Sequence, residues 1–433
     1  MKRIIAHSDA NCFYASVEMM RNPRLRDIPF AVCGRTEKRH GIVLTANYPA
    51  KRLGVKTGIA NWQATKACPG LLIVHPHMNY YLQYSDFIRE IYSRYTDRVE
   101  PFGLDEAWLD LTGCVPSFDS GITAVKEIKE TIKRELGVTV SIGISDNKVF
   151  AKLGSDLKKP DAYTAIRREQ FREIVWPLPV GDLLYVGSRT RKKLALISVH
   201  TIGDLAKVDE KLLQQLLGKV GLVVHAFANG ECRSKVAPQD YSVPIKSIGN
   251  SCTCPRDLRT DDDVKMVLIL LSESVGARLM ELGFYTTSVE FSFSNHDFSG
   301  YGTKQCKLQY PTNMAKEIAD SAFILFKKAY GTWPAPLRKI GVRGATLVTK
   351  DAPQQLTLGI NGERLEKLEN LEITINGLRR QYGNKTVQMA SMLIDPALTQ
   401  HIDAKKDHTI HPVSTFNGGE SVEWGNYTSK ITG

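Results

Sequence analysis

The stretch GLDEAWLDLTG, residues 103–113, sets two acids side by side in an otherwise apolar segment. Neighbouring residues on a strand point to opposite faces, so strand geometry alone would keep the carboxylates of Asp105 and Glu106 apart. The strand-like segment KRIIAHSD, residues 2–9, ends at a third acid, Asp9. If the two strands pair in one sheet, the three carboxylates meet at one edge. The alternative, acids that merely face water beside a core strand, stays open from the residues alone.

Three clustered carboxylates indicate a bound cation, because like charges repel each other unless a positive ion lies between them. Oxygen ligands select hard ions such as Mg²⁺. Two such ions, bridged by shared carboxylates, contact both the attacking and the leaving oxygen of an in-line phosphoryl transfer. The pattern therefore predicts magnesium-dependent phosphoryl transfer, provided that the strands pair.

The composition is that of an ordinary globular protein with a basic charge. A chain of 433 residues is expected to form about two to four domains. The net charge of +11 favours a polyanionic partner, and charge alone leaves nucleic acid and an anionic membrane surface both open. No apolar run approaches the ~20 residues of a membrane span, and the N-terminus lacks the pattern of a secretion signal.

Eight cysteines are scattered along the chain without the spacing of a disulfide framework. Cys252 and Cys254 are close in sequence, but a pair with no other ligand nearby is weak evidence for zinc. We therefore expect free thiols and a location in the cytoplasm, which is a reducing compartment.

Strands and helices alternate along the first part of the chain. Residues 79–99 and 122–136 carry apolar residues at helical spacing, and Gly137 closes the second helix. Residues 138–145 have the pattern of a strand. This order favours an antiparallel sheet with helices on one face, in a mixed α/β (α+β) fold.

The second part of the chain divides at a polar stretch. Residues 171–232 are expected to be helical, and residues 232–246, which contain two prolines, are expected to form a linker. Alternating strands and a long helix then predict a second, smaller α/β domain that ends near residue 350. The amphipathic helix expected after it carries Leu365, Leu368, Leu371, Ile375 and Leu378. We expect the polar C-terminal end to be flexible.

Four motifs resemble those of the Y-family, or translesion, DNA polymerases of the UmuC/DinB-like, bacterial type, in the same order and at similar spacing. They are DANCFYASVE (9–18), ANYPAKRLGVKTG (46–58), LDEAWLDLTG (104–113) and VSIGISDNKVFAKLGSDLKKPD (140–161). The resemblance extends from residue 1 to about 350. It implies a right-hand polymerase with a palm at 1–12 and 75–165, fingers at 13–74, a thumb at 166–232, a linker at 233–244, a little finger at 245–350 and a C-terminal tail at 351–433.

The resemblance also implies roles for individual residues. Asp9, Asp105 and Glu106 would hold two Mg²⁺ ions, with the carbonyl of Ala10 as a further ligand. The position of Tyr14 is that of the steric gate, an aromatic ring that blocks a ribose 2′-hydroxyl, and a core Tyr beside Phe13 is the structural alternative. The residues expected around the incoming deoxynucleoside triphosphate are Phe13, Tyr14, Tyr48, Lys51, Arg52 and Lys159.

The chain departs from the family pattern at three positions in or beside these motifs. Lys51 stands where most relatives have Arg, so whether Lys51 or Arg52 makes the main triphosphate contact is open. Gly103 replaces a common Ser, and Leu44 is bulkier than the small residue of some relatives. These features favour the UmuC-like branch over the DinB-like branch.

Contacts with DNA are expected in two places. VGSRTRKKL resembles a helix-hairpin-helix, in which Gly187 and Thr190 would lie at a DNA phosphate, and Gly187-Ser188-Arg189 replaces the usual Gly-x-Gly. Lys339 and Arg343 alternate with apolar residues, which puts both on one sheet face for phosphate contact. An ordinary helix N-terminus and a solvated sheet face are the respective alternatives.

The stretch QQLTLGI, residues 354–360, resembles the peptide with which bacterial polymerases bind the sliding clamp. Gln355 would bind at the rim of the clamp pocket, and Leu356 and Leu358 would enter it. A small strand that packs on the little finger is the alternative.

The resemblance thus implies a low-fidelity, template-directed DNA polymerase that extends a primer in DNA damage tolerance. Its expected partners are primer-template DNA, deoxynucleoside triphosphates and the clamp, with the polymerase itself a monomer. The alternative is a non-catalytic relative that serves as a DNA- or clamp-binding scaffold. Such a relative typically lacks the carboxylates, and here Asp9, Asp105 and Glu106 all stand in their motif positions.

Overall fold

The computed structural model describes most of the chain in two compact units. The described residues of the first unit run from 3 to 241, and those of the second unit run from 244 to 399. The boundary falls at the end of the linker predicted at 233–244. The residues that the structure describes are 3–34, 41–238, 241, 244–330, 336–352, 362–383 and 385–399.

The first unit begins with alternating strands and helices. In chain order these are β1 (Ile5–Ala10), α1 (Phe13–Arg21), β2 (Phe30–Cys33), β3 (Val43–Ala46), α2 (Tyr48–Arg52), α3 (Asn61–Ala67), β4 (Leu72–Val74), α4 (Met78–Ser93), β5 (Val99–Pro101), β6 (Glu106–Asp110), α5 (Phe118–Leu136), β7 (Val140–Ser145), α6 (Lys148–Leu157) and β8 (Tyr163–Ile166).

The main sheet of this unit has five strands in the order β5-β6-β1-β7-β8. β1 pairs antiparallel with both β6 and β7, whereas β7 pairs parallel with β8. The predicted pairing of the first strand with the acidic strand is therefore confirmed. The sheet is antiparallel, as predicted, except at its β8 edge.

Helices cover both faces of this sheet. Ala6 of β1 packs in a core with residues of α4 and α5, whereas Ile5 packs with Trp108 and with Ala151 of α6. Adjacent strand residues point to opposite faces, so α6 lies across the sheet from α4 and α5. The expectation of helices on one face is wrong. Every residue of β1 is buried, and a strand buried on both faces needs a layer on each side.

The predicted helix that ends at Gly137 is present, and it starts earlier than its apolar pattern indicated. α5 begins after Ser117, whose hydroxyl accepts a hydrogen bond from the Ser120 backbone N–H. Such a cap satisfies one of the free N–H groups of the first turn. At the other end, Gly137 adopts φ +69°, the left-handed conformation that favours glycine.

A small second sheet, with strand order β3-β2-β4, carries the segment that corresponds to the predicted fingers. β3 leads into α2 through Asn47, whose side chain accepts hydrogen bonds from the backbone N–H groups of Ala50 and Phe30. The predicted strand followed by a short basic helix is thus confirmed, and Asn47 links the start of α2 to β2.

The rest of the first unit is helical, as predicted for 171–232. The helices pack around a core that contains Phe150 of α6, Phe171 and Phe227. They are α7 (Phe171–Val175), α8 (Ser188–Ala195), α9 (Ile202–Lys207), α10 (Glu210–Leu217) and α11 (Lys219–Ala228).

The second unit packs long helices against a four-stranded sheet. Its elements are β9 (Ser247–Leu258), α12 (Asp261–Glu281), β10 (Phe284–Asn295), β11 (Tyr301–Thr312), α13 (Ala315–Tyr330), β12 (Leu337–Thr349), α14 (Gly362–Tyr382) and α15 (Pro396–Thr399). The strand order is β11-β10-β12-β9, and all neighbours are antiparallel. The predicted second α/β domain is therefore present in the described residues.

The helix α14 packs on this unit with its polar side. The buried Arg379 guanidinium lies 2.8 Å from the Glu273 carboxylate of α12, and Glu369 accepts a hydrogen bond of 2.6 Å from the Tyr285 hydroxyl. Leu371 and Leu378, which were expected on the packed face, are 53% and 39% exposed. Leu365, Leu368 and Ile375 are half-buried on the side of the helix that also carries Glu369 and Arg379. The apolar pattern therefore identified the helix and part of the face that it buries, where paired charges add to the contacts.

None of the helices in the described part of the chain has both the length and the apolar character that a membrane span requires. The eight cysteines all fall within that part, and none of them forms a disulfide.

Candidate active site

The three predicted carboxylates meet where β1 ends and β6 begins. Asp9 and Glu106 are directly opposite each other in the β1–β6 register. Asp105 precedes the first residue of β6, so strand alternation does not apply to it, and its carbonyl accepts a 2.9 Å hydrogen bond from the Ala10 backbone N–H. Asp9, Asp105 and Glu106 form what is called here the carboxylate cluster.

The bend ahead of β6 depends on Gly103, which adopts φ +91°. A side chain at this φ is strained, and an added Cβ would also lie 3.3 Å from the Asp105 carboxylate. Gly103, a departure from the family pattern, is thus the residue that permits the observed turn.

Burial and mutual repulsion dominate the electrostatics of the cluster. Burial, and after it the charges of Asp9 and Glu106, raise the pKa of Asp105 to about 7. Burial also raises the pKa of Asp9 to about 6, against the effect of Lys159. A cation bound between carboxylates in this state stabilises their ionised forms, because it offsets their mutual repulsion. An all-oxygen donor set suits a hard divalent ion. The residues therefore fit the predicted Mg²⁺ site.

Two lysines neutralise parts of the cluster in the structure. Lys159, predicted at the triphosphate, lies with its ammonium 2.7 Å from Asp9 and 2.8 Å from Asp156. Burial acts against the charged form, but these two carboxylates raise the pKa of Lys159 above its usual range. Lys152 of α6 forms an ion pair with Oε2 of Glu106. The cluster is therefore surrounded by positive charge on the α6 side.

Sequence reasoning missed His7 and Lys152, which both approach Glu106. His7 is fully buried, and its Nε2 lies 3.2 Å from Oε2 of Glu106. Burial alone would raise the pKa of Glu106, but His7 and Lys152 lower it to about 2. The sequence held a signal for His7, because a residue two positions before Asp9 on a strand shares its face.

The two adjacent aromatic residues at the start of α1 differ in burial. Phe13 is only 2% exposed and belongs to the core, whereas Tyr14 is half-buried and stacks on Tyr81 with ring centroids 4.4 Å apart. The Tyr81 hydroxyl donates to the buried Glu18 carboxylate at 2.6 Å. Burial raises the pKa of Tyr14, and the charge of Asp105 raises it further. The effect of Asp105 indicates that the Tyr14 ring lies near the carboxylate cluster. Of the two, Tyr14 has the exposure that a steric gate requires.

The helix α2 presents its polar residues at the surface. Lys51 and Arg52 are both exposed, and the Lys51 ammonium lies 5.3 Å from the centroid of the Tyr48 ring. Burial, with the Cys12 thiol close by, raises the pKa of Tyr48, so its hydroxyl stays protonated. The structure thus brings Lys51 and Tyr48 together and leaves Arg52 exposed beside them.

In the helical part of the first unit, the residue with a left-handed backbone lies just ahead of the predicted helix-hairpin-helix motif. Gly187 caps α8 at φ −75°, which any residue adopts, while Tyr185 adopts φ +70°. Gly187 is exposed and Thr190 is partly exposed within the basic helix α8.

In the second unit, the predicted Lys339 and Arg343 lie on the same exposed side of β12, one of the two inner strands of the sheet. Their neighbours on that side are small or polar. Across the sheet, Lys339 is opposite Ser294 and Thr253, Gly341 is opposite Ser292 and Ser251, and Arg343 is opposite Glu290 and Gly249. These residues form the outer sheet face. The predicted clamp-binding residues Gln355, Leu356 and Leu358 lie outside the described residues.

Comparisons with known proteins bear on the family of the chain. The model of the impB/mucB/samB family matches residues 8–156, and the model of the C-terminal domain of that family matches residues 245–358. A DNA polymerase IV from Acetivibrio thermocellus is 46% identical over 400 residues, which is 92% of this chain and the whole of that protein. The chain belongs to the impB/mucB/samB family, the Y-family of DNA polymerases.

Further relatives extend the match to other bacteria. DNA polymerase IV 1 of Bacillus subtilis is 37% identical to this Y-family polymerase over 392 residues, 90% of this chain and 93% of that protein. The solved structure of the Y-family DNA polymerase chimera Dbh-Dpo4(243-245)-Dbh superposes with a TM-score of 0.71 at 24% identity, over 80% of this chain and 99% of the chimera. The predicted family and fold class are confirmed.

The names of these relatives bear on two other expectations. The relatives above are DNA polymerase IV proteins, and the preference for the UmuC-like branch finds no support among their names. The alternative of a non-catalytic scaffold also finds no support, since this Y-family polymerase matches named polymerases over nearly its full length.

Proposed function

We propose that this chain is a template-directed, low-fidelity translesion DNA polymerase in which the carboxylate cluster holds two Mg²⁺ ions. The observation that carries the proposal is the convergence of Asp9, Asp105 and Glu106 at one strand edge, where burial and repulsion raise the pKa of two of the three. The backbone of Ala10 leaves β1 at the same edge and offers its carbonyl as a further ligand.

The ions, when bound, would lower the pKa of the primer 3′-hydroxyl and neutralise charge on the pyrophosphate that leaves. The protein supplies the fixed geometry. The β1–β6 register sets the positions of Asp9 and Glu106, and the bend at Gly103 sets that of Asp105. Preorganised charges of this kind need no reorganisation during the reaction.

Four polar residues are proposed to bind the incoming triphosphate. Lys159 already lies at the edge of the cluster, where its ammonium can exchange the Asp9 carboxylate for a phosphate oxygen. The Tyr48 hydroxyl stays protonated and can donate a hydrogen bond to a phosphate oxygen. Lys51 lies over the Tyr48 ring, which supports Lys51 rather than Arg52 as the main contact, with Arg52 adding charge. A lysine contributes a point charge rather than a bidentate fork.

Tyr14 is proposed as the steric gate. Its ring is held by the stack on Tyr81, and Tyr81 is in turn held by the buried Glu18. A ring fixed in this way cannot turn aside for a 2′-hydroxyl. Phe13, the neighbouring residue of the motif, would support the gate from the core.

The contacts with primer-template DNA are proposed at two surfaces. Gly187 and Thr190 would lie at a phosphate near the start of α8, and Lys339 and Arg343 would bind phosphates from the outer sheet face. Both surfaces carry exposed basic side chains. We further propose that the polymerase acts as a monomer in the cytoplasm, where its DNA substrate is found.

A sliding clamp is proposed as the partner of residues 354–360. A polymerase that holds DNA through few contacts gains from tethering, because the tether raises its effective concentration at the primer end. In a Q355A/L356A/L358A variant, extension without clamp should be unchanged and stimulation by loaded clamp should be lost. Stimulation that survives these changes would remove this stretch as the clamp-binding peptide.

The function as a whole is tested by primer extension. The protein is incubated with Mg²⁺ and deoxynucleotides on an undamaged template and on a template with one abasic site. We expect extension on both, with insertion opposite the abasic site, and no extension without the divalent ion. A protein that binds primer-template DNA but extends neither primer would favour the scaffold alternative.

A further inference from the structure

The short connection between α6 and β8, residues 158–162, carries Lys159 to the carboxylate cluster. The ammonium of Lys159 reaches Asp9 at 2.7 Å. A lysine side chain is long and flexible, so the positions open to its charge depend on how firmly the backbone beneath it is held. Asp161, two residues after Lys159, has no role in the proposal above.

The backbone of Asp161 adopts an uncommon conformation. Its φ of +54° lies in the left-handed region, where most side chains are strained and Asp is tolerated better than most. A conformation of this kind persists only where the surroundings hold it, and it is often found at functional sites. The backbone N–H of Asp161 donates a 2.9 Å hydrogen bond to Oδ1 of Asn11, which is one such restraint.

Asn11 offers a fixed acceptor because its own side chain is fully bonded. It is only 2% exposed. A backbone N–H can only donate, so the Asn11 atom that faces Asp161 must be the oxygen. The Asn11 amide nitrogen then faces the Ser141 hydroxyl of β7 at 2.9 Å, and the Thr139 hydroxyl donates to the same oxygen at 3.0 Å. The main sheet thus holds the acceptor that binds Asp161.

The carboxylate of Asp161 is held by two lysines of α5. Lys129 and Lys133 are four residues apart and therefore share one face of the helix. Their ammonium groups lie 2.8 Å from Oδ1 and 2.7 Å from Oδ2 of Asp161. Lys129 also lies 3.3 Å from the backbone carbonyl of Asp161. The Lys129 side chain is only 13% exposed, so solvent screens this pair less than an ordinary surface pair. The helix therefore anchors both the side chain and the backbone of Asp161.

We propose that Asp161, held by Lys129 and Lys133, is a positioning residue that sets where Lys159 meets the incoming triphosphate. The inference rests on the proposed function, in which Lys159 binds that group. When Lys159 exchanges its carboxylate partner at the cluster for a phosphate oxygen, it gives up a contact that holds it. Asp156, 2.8 Å from Lys159, and the anchored backbone then limit its positions. A binding group that is already held loses less freedom when the ligand arrives, so the anchor should strengthen nucleotide binding.

The first test measures the anchor in protein without DNA or nucleotide. Hydrogen exchange of peptides that span residues 158–162, followed by mass spectrometry, reports how often the connection opens. We expect faster exchange in D161A and in K129Q/K133Q, because each variant removes both ion pairs. D119A is the matched control, since Asp119 is an exposed acid of α5 that pairs with Arg167, and it should exchange like wild type. Wild-type exchange in both D161A and K129Q/K133Q would overturn the proposal.

The second test separates nucleotide binding from the chemical step. Single-nucleotide insertion is measured on primer-template DNA at saturating Mg²⁺. In D161A the KM for the deoxynucleotide should rise about three- to tenfold with kcat within about twofold of wild type, because a misplaced Lys159 weakens binding before and during the reaction alike. K129Q/K133Q should show the same rise, and D119A should show none.

A triple variant tests whether the three residues act together. D161A/K129Q/K133Q should raise KM no further than D161A alone, since each change removes the same ion pairs. Increases that multiply would mean that the lysines and Asp161 act separately, and they would overturn the proposal. If D161A does not fold, K129Q/K133Q tests the same prediction.

Two further variants separate the anchor from backbone conformation and from the proposed function. D161G keeps the left-handed backbone without strain but removes the carboxylate, so its KM should rise as in D161A. A wild-type KM in D161G would show that only the backbone conformation matters and would overturn the proposal. K159Q should raise KM at least as much as D161A. A raised KM in K159Q with a wild-type KM in D161A and K129Q/K133Q would overturn this proposal alone, whereas a wild-type KM in K159Q would contradict the proposed role of Lys159 itself.

Discussion

The carboxylate cluster of the first unit and the outer sheet face of the second unit are both built on antiparallel strands, but they use charge differently. In the cluster, buried acids of like charge meet at one strand edge and raise the pKa of Asp105 to about 7. On the sheet face, Lys339 and Arg343 are exposed and lie among small or polar side chains. The proposed activity of the cluster depends on the position of each carboxylate. The proposed DNA affinity of the outer sheet face is a sum of weak contacts. Substitutions in the two regions should therefore differ greatly in effect.

The largest effect is expected for Asp105→Ala. The change removes a proposed metal ligand and no phosphate-binding group, so primer extension should fall by roughly 10³-fold or more, corresponding to several kcal/mol of transition-state stabilisation. DNA affinity, measured by fluorescence anisotropy, should stay within about twofold of wild type. A variant with near wild-type extension would remove Asp105 from the catalytic machinery.

A smaller effect, on selectivity rather than rate, is expected for Tyr14→Ala. Loss of the ring that stacks on Tyr81 removes the obstacle to a 2′-hydroxyl, so discrimination against ribonucleotides should fall by roughly 100-fold. Single-nucleotide insertion with matched deoxy- and ribonucleotides measures the ratio. Tyr14→Phe is the matched control, since it keeps the ring that stacks on Tyr81 and should keep the discrimination. Discrimination that Tyr14→Ala leaves unchanged would remove Tyr14 as the gate.

The cluster should also make stability depend on pH in the absence of metal. The folded state raises the pKa of Asp105 to about 7 and that of Asp9 to about 6, above their unfolded value of 3.8. The folded protein then binds more protons than the unfolded chain between these values, so the free energy of unfolding falls as the pH rises from about 4 to 7. Mg²⁺ should offset this loss. The increase in Tm that Mg²⁺ causes should therefore be larger at pH 8 than at pH 5. Each kcal/mol of added stability corresponds to a Tm increase of ~2–4 °C.

In D105N the pH dependence of Tm should be weaker, because the residue with the most strongly raised pKa no longer ionises. Differential scanning calorimetry of metal-free protein, with and without Mg²⁺, measures both effects. Equal Mg²⁺ stabilisation at pH 5 and pH 8 would show that the ion does not bind at the ionised cluster.

The smallest effect per residue is expected on the outer sheet face. Lys339→Ala and Arg343→Ala should each weaken DNA binding a few-fold and uniformly across sequences, and each should reduce the slope of log affinity against log salt by about 1. The double variant should reduce the slope by about 2. Glu290→Gln is the opposing control, because Glu290 lies 3.8 Å from Arg343, and its neutralisation should strengthen binding. Salt slopes unaffected by all of these changes would place the DNA elsewhere.

The two regions also differ in how much of their structure could be predicted from the sequence. The apolar alternation of β1 and the ends of α5 follow from local rules, so they could be predicted from spacing and from Gly137. The adjacency of Asp105 and Glu106 could not be interpreted in this way. It depends on where β6 starts, and that point is set by hydrogen bonding to β1 and by the bend at Gly103.

The residues that the sequence missed are those whose role depends on a distant partner. Lys152 reaches Glu106 only because α6 packs on the second face of the sheet, the layer that the predicted one-sided arrangement left out. No local pattern distinguishes His7 from the other residues of β1, and its contact with Ser155 arises only when α6 packs on the sheet. Long-range contacts of this kind have no local pattern.

The polar packing of α14 has a consequence for how the polypeptide is held together. The family match ends at residue 358, yet Arg379 and Glu273, both 8% exposed, form an ion pair that joins α14 to α12. Removing one partner of a buried ion pair costs about 3–5 kcal/mol. A protease cut between Thr349 and Gly362 should therefore leave two fragments that migrate as a single particle, and a stop codon at the same place should give a chain that the cell degrades.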